Sequence, residues 1–213
     1  MYKDSIENYL QLYFIMGSEN CYVDPIHVLE EAIKGGVTCF QFREKGASAL
    51  KGREKEELAR MLQSICQKHR IPFIVNDDLH LAEMLKADGV HVGQQDTEIS
   101  YVRKQFSKQI VGLSVHTIAE AIDAKRNEVD YIGVGPIYST TTKVDAKSSI
   151  GPNRIRNIIK EGVDIPTVGI GGINQTNCDQ VLEAGASGIA VISAISNAVS
   201  PLEAASQLRK KER

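Results

Sequence analysis

An α/β fold, a single-domain (β/α)8 TIM barrel of eight parallel strands over residues 1–213, is what three features of the sequence predict. Short β-branched or aromatic runs recur, each is followed by a segment with helical spacing, and no linker or composition break interrupts the alternation. Strand number alone does not prove closure, so an open doubly wound sheet stands as the alternative.

The strands are expected at 10–17, 39–45, 72–77, 89–93, 110–116, 131–138, 166–173 and 188–194. Helical segments separate them: 24–36, with Asp24 as cap and Pro25 in the first turn, then 52–70, 80–87, 99–106, 117–127, 151–162 and 174–185, and a last one at 200–212. Gly35 or Gly36, Gly162 and Gly185 suit the left-handed residue that ends a helix.

Composition excludes several classes of function. A net charge of -2 gives no basic field for nucleic acid or an anionic membrane, so any anion binding must be local. No apolar run approaches the ~20 residues of a membrane helix. The start, "MYKDSIENYL", lacks a charged region followed by an apolar core. Cys21, Cys39, Cys66 and Cys178 form no C-x-x-C pair, which fits a cytoplasmic protein with reduced thiols.

A closed barrel places chemistry at the C-terminal ends of its strands. The second strand ends "QFREK", where Gln41, Arg43 and Lys45 share one parity and alternate with Phe42 and Glu44. Helices cover the outside of such a strand, so an amide, a guanidinium and an ammonium pointing inward call for an anionic ligand. Strands three and four run into "NDD" and "GQQD". Asp77 and Asp96, at neighbouring strand ends, can share a hard cation such as Mg²⁺, whereas Asp78 suits a helix cap. Strand five ends in Ser114, a weak donor candidate, and His116, to which spacing alone gives no role; Thr117 caps the next helix. The long loop 139–152 carries three threonines and Lys143 and suits a lid. "GIGGI" at 169–173, with Ile192 and Ser193 after strand eight, suits a phosphate.

Two anion pockets and one metal suit a diphosphate leaving group facing a second substrate anchored by its phosphate. No nucleophile paired with a base is evident, so covalent catalysis is not indicated.

In this order and spacing, "QFREK", "NDD", "GQQD", "SVHT", "GPIYSTTTK", "GIGGI" and "VISAIS" resemble the thiamine-phosphate synthase (thiamine-phosphate pyrophosphorylase) family over essentially the whole chain. The resemblance implies a transferase of thiamine biosynthesis. It condenses 4-amino-2-methyl-5-hydroxymethylpyrimidine diphosphate with a thiazole phosphate, plain or carboxylated, by dissociative substitution. It also implies one Mg²⁺ per active site on Asp77 and Asp96. Gln41, Arg43, Lys45, Asn76, Ser114 and Lys143 match positions that hold the pyrimidine diphosphate, with Phe42 and Glu44 in the same stretch. Among these, Arg43, Lys143 and Ser114 are the catalytic candidates. Thr140, Thr141, Thr142, Gly172, Ile192 and Ser193 match the thiazole-phosphate site. The expected partners are these small molecules, with no nucleic acid and no membrane, and homodimerisation stays open.

Two alternatives are kept. A thiazole tautomerase similar to this family uses a histidine after strand six, where this chain has Pro136. A non-catalytic sensor of a phosphorylated ligand needs the glycine pocket but not Asp77 with Asp96.

Overall fold

The computed structural model describes residues 3–140 and 148–210. Eight parallel strands close into a barrel in sequence order, and the first pairs with the last. They are β1 (Leu12–Met16), β2 (Cys39–Phe42), β3 (Phe73–Asn76), β4 (Gly89–Val92), β5 (Ile110–Val115), β6 (Tyr131–Val134), β7 (Thr167–Ile170) and β8 (Gly188–Val191). The open-sheet alternative is thereby set aside.

The helices among the described residues are α1 (Lys3–Leu10), α2 (Pro25–Lys34), α3 (Gly52–His69), α4 (Leu79–Leu85) and α5 (Ile99–Gln105). They continue as α6 (Ile118–Arg126), α7 (Asn153–Lys160), α8 (Cys178–Glu183), α9 (Ser193–Ser196) and α10 (Pro201–Lys210). None is long and apolar enough to cross a membrane.

Local chemistry sets the helix ends. Asp24 accepts from Ile26 N at 3.1 Å and Asp78 from Leu81 N at 2.9 Å, each satisfying an otherwise orphaned first-turn N–H. Thr117 and Glu120 cap each other's backbone N–H groups in a capping box. Gly36, Gly162 and Gly185 all adopt positive φ, as their positions after helices require.

Strand alternation sorts the core into two layers. Outward-facing Phe14, Phe40, Phe73 and Val90 pack beneath the helices with Leu29, Leu62 and Ile155. The inward parity fills the barrel with Tyr13, Ile15, Cys39, Ile74, Ile110, Tyr131, Val168 and Ala190. Ile6 and Leu10 of α1 join that inner cluster, so α1 stops the N-terminal end of the barrel. The strands end one to four residues before the sequence limits. After β8 the chain turns at once into α9, so Ser193 opens a helix instead of extending a strand.

Candidate active site at the barrel mouth

A cavity of about 840 Å³ lies at the C-terminal ends of the strands, where the closed barrel demands it. Arg43, Lys45, Asn76, Asp77, Asp96 and Ser114 line one side, and Thr140, Gly172, Ile192 and Ser193 also face it. The expected residues thus come together from seven strand ends. Thr141, Thr142 and Lys143 lie outside the described residues.

Three members of the second-strand run are placed elsewhere. Phe42 points outward into the helix-covered core and stacks near Phe73 at 6.3 Å. The Glu44 carboxylate is taken up by Ser18 N and Oγ and by Leu50 N, tying two loops together outside the cavity. Their parity, opposite to Arg43, is the reason. Gln41 does face inward, but it is 1% exposed beneath the cavity and its Nε2 donates to Tyr13 Oη at 2.7 Å.

Arg43 is about nine-tenths buried on the cavity wall and makes no ion pair with a carboxylate among the described residues. A buried guanidinium without a counter-charge is costly, and an anion in the cavity would answer it. Two residues further along the chain, Lys45 is ion-paired with Asp77, and its Nζ is 4.0 Å from Asp96 Oδ1.

Asp77 sits at φ +58°, a left-handed conformation that Asp and Asn adopt more readily than other non-glycine residues. Its amide donates to His91 O at 2.9 Å, and its Oδ2 accepts from Asn76 Nδ2 at 2.7 Å. Burial pushes its carboxyl above the usual carboxylate range; Lys45 pulls it down and neighbouring Asp96 pushes it up again. Asp96 Oδ2 accepts from Gly93 N at 2.8 Å, which folds the loop after β4 so that the two carboxylates converge. Among the described residues no group of three or more metal-ligating side chains occurs. Two converging carboxylates nonetheless fit Mg²⁺, which keeps waters and takes phosphate oxygens for its other positions.

The glycine wall follows β7. Gly172 has φ +64°, and a Cβ there would run into the Ser139 carbonyl at 2.5 Å, so only glycine lets these two loops meet.

Sequence reasoning passed over His91, which also lines the cavity. It lies midway along β4, and its Nε2 is 2.8 Å from Ser114 Oγ. The signal was there: a single histidine of inward parity between Gly89 and Gly93. His116 also reaches the wall, with Nδ1 3.1 Å from the Gly135 carbonyl.

A family model described as thiamine monophosphate synthase matches residues 12–195. The chain is 48% identical over 209 residues to the thiamine-phosphate synthase of Bacillus licheniformis, covering 98% of this chain and 93% of that protein. With the Bacillus cereus protein of the same name the identity is 52% over 206 residues, covering 97% and 94%. Among solved structures, thiamine phosphate pyrophosphorylase from Pyrococcus furiosus superposes with a TM-score of 0.87 at 35% identity, covering 97% of each chain. With a match through all eight strands and about half the residues shared with these relatives, the chain belongs to the thiamine monophosphate synthase family of enzymes.

Proposed function

We propose that the protein is a thiamine-phosphate synthase that joins hydroxymethylpyrimidine diphosphate to a thiazole phosphate and releases diphosphate. The observation that carries this reading is Arg43, a buried guanidinium facing the cavity with no carboxylate of its own among the described residues. Family membership supports the same reading.

The reaction is a substitution at the pyrimidine methylene carbon. The carbon–oxygen bond breaks first, and its electron pair leaves on the diphosphate. The thiazole nitrogen then gives its lone pair to the methylene carbon, which balances the step without a proton transfer. Arg43 and Lys45, together with Lys143, stabilise the negative charge that grows on the departing oxygens. Ser114 orients the diphosphate, and the wall at Gly172 and Ser193 holds the thiazole phosphate in line for attack. Asp77 and Asp96 would hold Mg²⁺, which when bound supplies further neutralisation of the diphosphate oxygens.

The thiols support a route without a covalent intermediate. Burial pushes Cys21 up to about 12, with Glu44 and Asp24 adding to it, and burial likewise raises Cys39 and Cys66, so none of the three is a ready nucleophile. Four free thiols also suit a cytoplasmic setting.

Diphosphate release from the pyrimidine substrate is the test, measured with and without thiazole phosphate and Mg²⁺ while thiamine phosphate is followed. Release that needs both and matches product formation supports the synthase. Isomerisation of a thiazole without diphosphate chemistry would favour the tautomerase, although Pro136 on the cavity wall has no proton to give. Phosphate-ligand binding with no turnover would favour the sensor.

A further inference from the structure

Five polar side chains inside the barrel form an unbroken line of hydrogen bonds. Gln41 Nε2 donates to Tyr13 Oη at 2.7 Å, and the hydroxyls of Tyr13 and Tyr131 are 2.8 Å apart. Tyr131 Oη is 2.9 Å from His91 Nδ1, and His91 Nε2 is 2.8 Å from Ser114 Oγ. The line begins in the sealed interior at Gln41 and ends on the cavity wall at Ser114.

Its direction follows from valence. An amide nitrogen only donates, so Tyr13 accepts from Gln41, and the arrangement that leaves no buried hydroxyl proton unpaired places the Tyr13 proton on the Tyr131 oxygen. Tyr131 has then accepted, and its own proton goes to His91 Nδ1. A neutral imidazole that accepts at Nδ1 carries its proton at Nε2, and that N–H donates to Ser114 Oγ. Ser114 is thereby an acceptor toward the barrel interior and keeps its own proton for the cavity. Burial raises both phenols well above their ordinary value, so they remain protonated donors near neutral pH.

Packing holds the geometry. In the strand register His91 faces Gly112, which faces Tyr131. A Cβ on Gly112 would strike both the Tyr131 ring and His91 Nδ1, so the missing side chain is what lets Tyr131 reach the imidazole. The two rings lie 5.5 Å apart, and Tyr13 meets Tyr131 edge-on at 5.8 Å.

We propose that Gln41, Tyr13, Tyr131 and His91 polarise Ser114 so that its hydroxyl directs its proton to the ligand, with Tyr131 as a positioning residue. The site at Ser114 therefore favours an acceptor atom, to which the hydroxyl proton is directed. Resting on the synthase reading, that acceptor is an oxygen of the diphosphate, and the hydrogen bond strengthens as charge develops there.

Imidazole nitrogen-15 labelling of the ligand-free protein, read by two-bond proton–nitrogen correlation, reports the His91 tautomer directly. The His91 signal is identified by its loss in His91→Gln or, should that variant not fold, by its displacement in Ser114→Ala. The expected wild-type form is protonated at Nε2, and Tyr131→Phe should move protonation toward Nδ1. A wild-type ring protonated at Nδ1, or a tautomer indifferent to Tyr131→Phe, overturns the proposal.

In turnover, Tyr131→Phe should lower kcat about tenfold with KM held within about twofold, and adding it to Ser114→Ala should cost nothing more. Losses that multiply would mean that Tyr131 acts independently of Ser114 and would overturn its positioning role. The tautomer needs no substrate, so absence of diphosphate release by wild type defeats the synthase reading while the polarity is still decided by the labelled ring.

Discussion

The Lys45 ammonium is ion-paired with the Asp77 carboxylate, and the same nitrogen stands 4.0 Å from Asp96 Oδ1. A cation belonging to the chain itself thus lies between the two acids that converge at the cavity. Its charge does not fully compensate for burial, because the Asp77 carboxyl is still held above its ordinary range.

Asp77→Asn should therefore stabilise the ligand-free protein while abolishing most turnover. The substitution removes a poorly solvated charge, and Asn tolerates φ +58° at least as well. The expected rise in Tm is roughly 1–4 °C for a chain of this size. A lower Tm by thermal unfolding would mean that the Lys45 pair outweighs the burial of Asp77.

Asp96→Asn should shift the Mg²⁺ requirement for turnover to higher concentration without unfolding the loop after β4. The amide oxygen can still accept from Gly93 N, so the tether at 2.8 Å survives while a hard anionic ligand is lost. A Mg²⁺ titration that overlays the wild type would remove Asp96 from the metal site.

Arg43→Ala should cost about 100- to 1000-fold in kcat/KM, the scale of losing one pre-arranged electrostatic donor. Arg43→Lys should recover part of that, since the charge returns without the planar fork. Neither change should lower Tm by more than about 2 °C, because the guanidinium is buried without a carboxylate partner among the described residues. Wild-type kcat/KM in Arg43→Ala would remove the main support for an anion at this wall.

Asp78 gives the fold a term that depends on pH. Burial alone would raise its carboxyl, but Lys55 at 2.6 Å and the Leu81 amide bring it below the ordinary value. The folded state thus prefers the ionised form, so the stabilisation is present above the carboxylate's unfolded pKa and is lost as pH falls through the folded one. Asp78→Ala should lower Tm at neutral pH by roughly 2–5 °C through the lost cap and pair, and the gap should close in acid. A gap that stays constant down to acid would refute the charged contribution.

The barrel was legible because its signals are local. Asp24, Thr117 and Asp78 cap helices by chemistry that three or four residues specify, and every strand except β7 carries apolar residues at the parity the helices cover. Closure was not legible, because no residue encodes the pairing of Leu12 with Ile189 across the whole chain. Strand ends were overrun where the apolar pattern continues past the ladder, as at Pro136–Tyr138 and at Ile192, which turns into α9. α1 was missed because, among the described residues, its place in the barrel's inner cluster rests on just Ile6 and Leu10. Arg43 and Asp77 stood out as charges on covered strands. His91 looked like strand filling until Tyr131, 40 residues away, was seen to meet it.

α1, set against the base by Ile6 and Leu10, makes the barrel a vessel that, among the described residues, opens at the far end from that helix. On the synthase reading, two reactants and two products share that entrance, so traffic through it is a queue. Whichever molecule sits nearer the opening bars the exit of the one behind it, and the order of arrival and departure is imposed by access as much as by affinity.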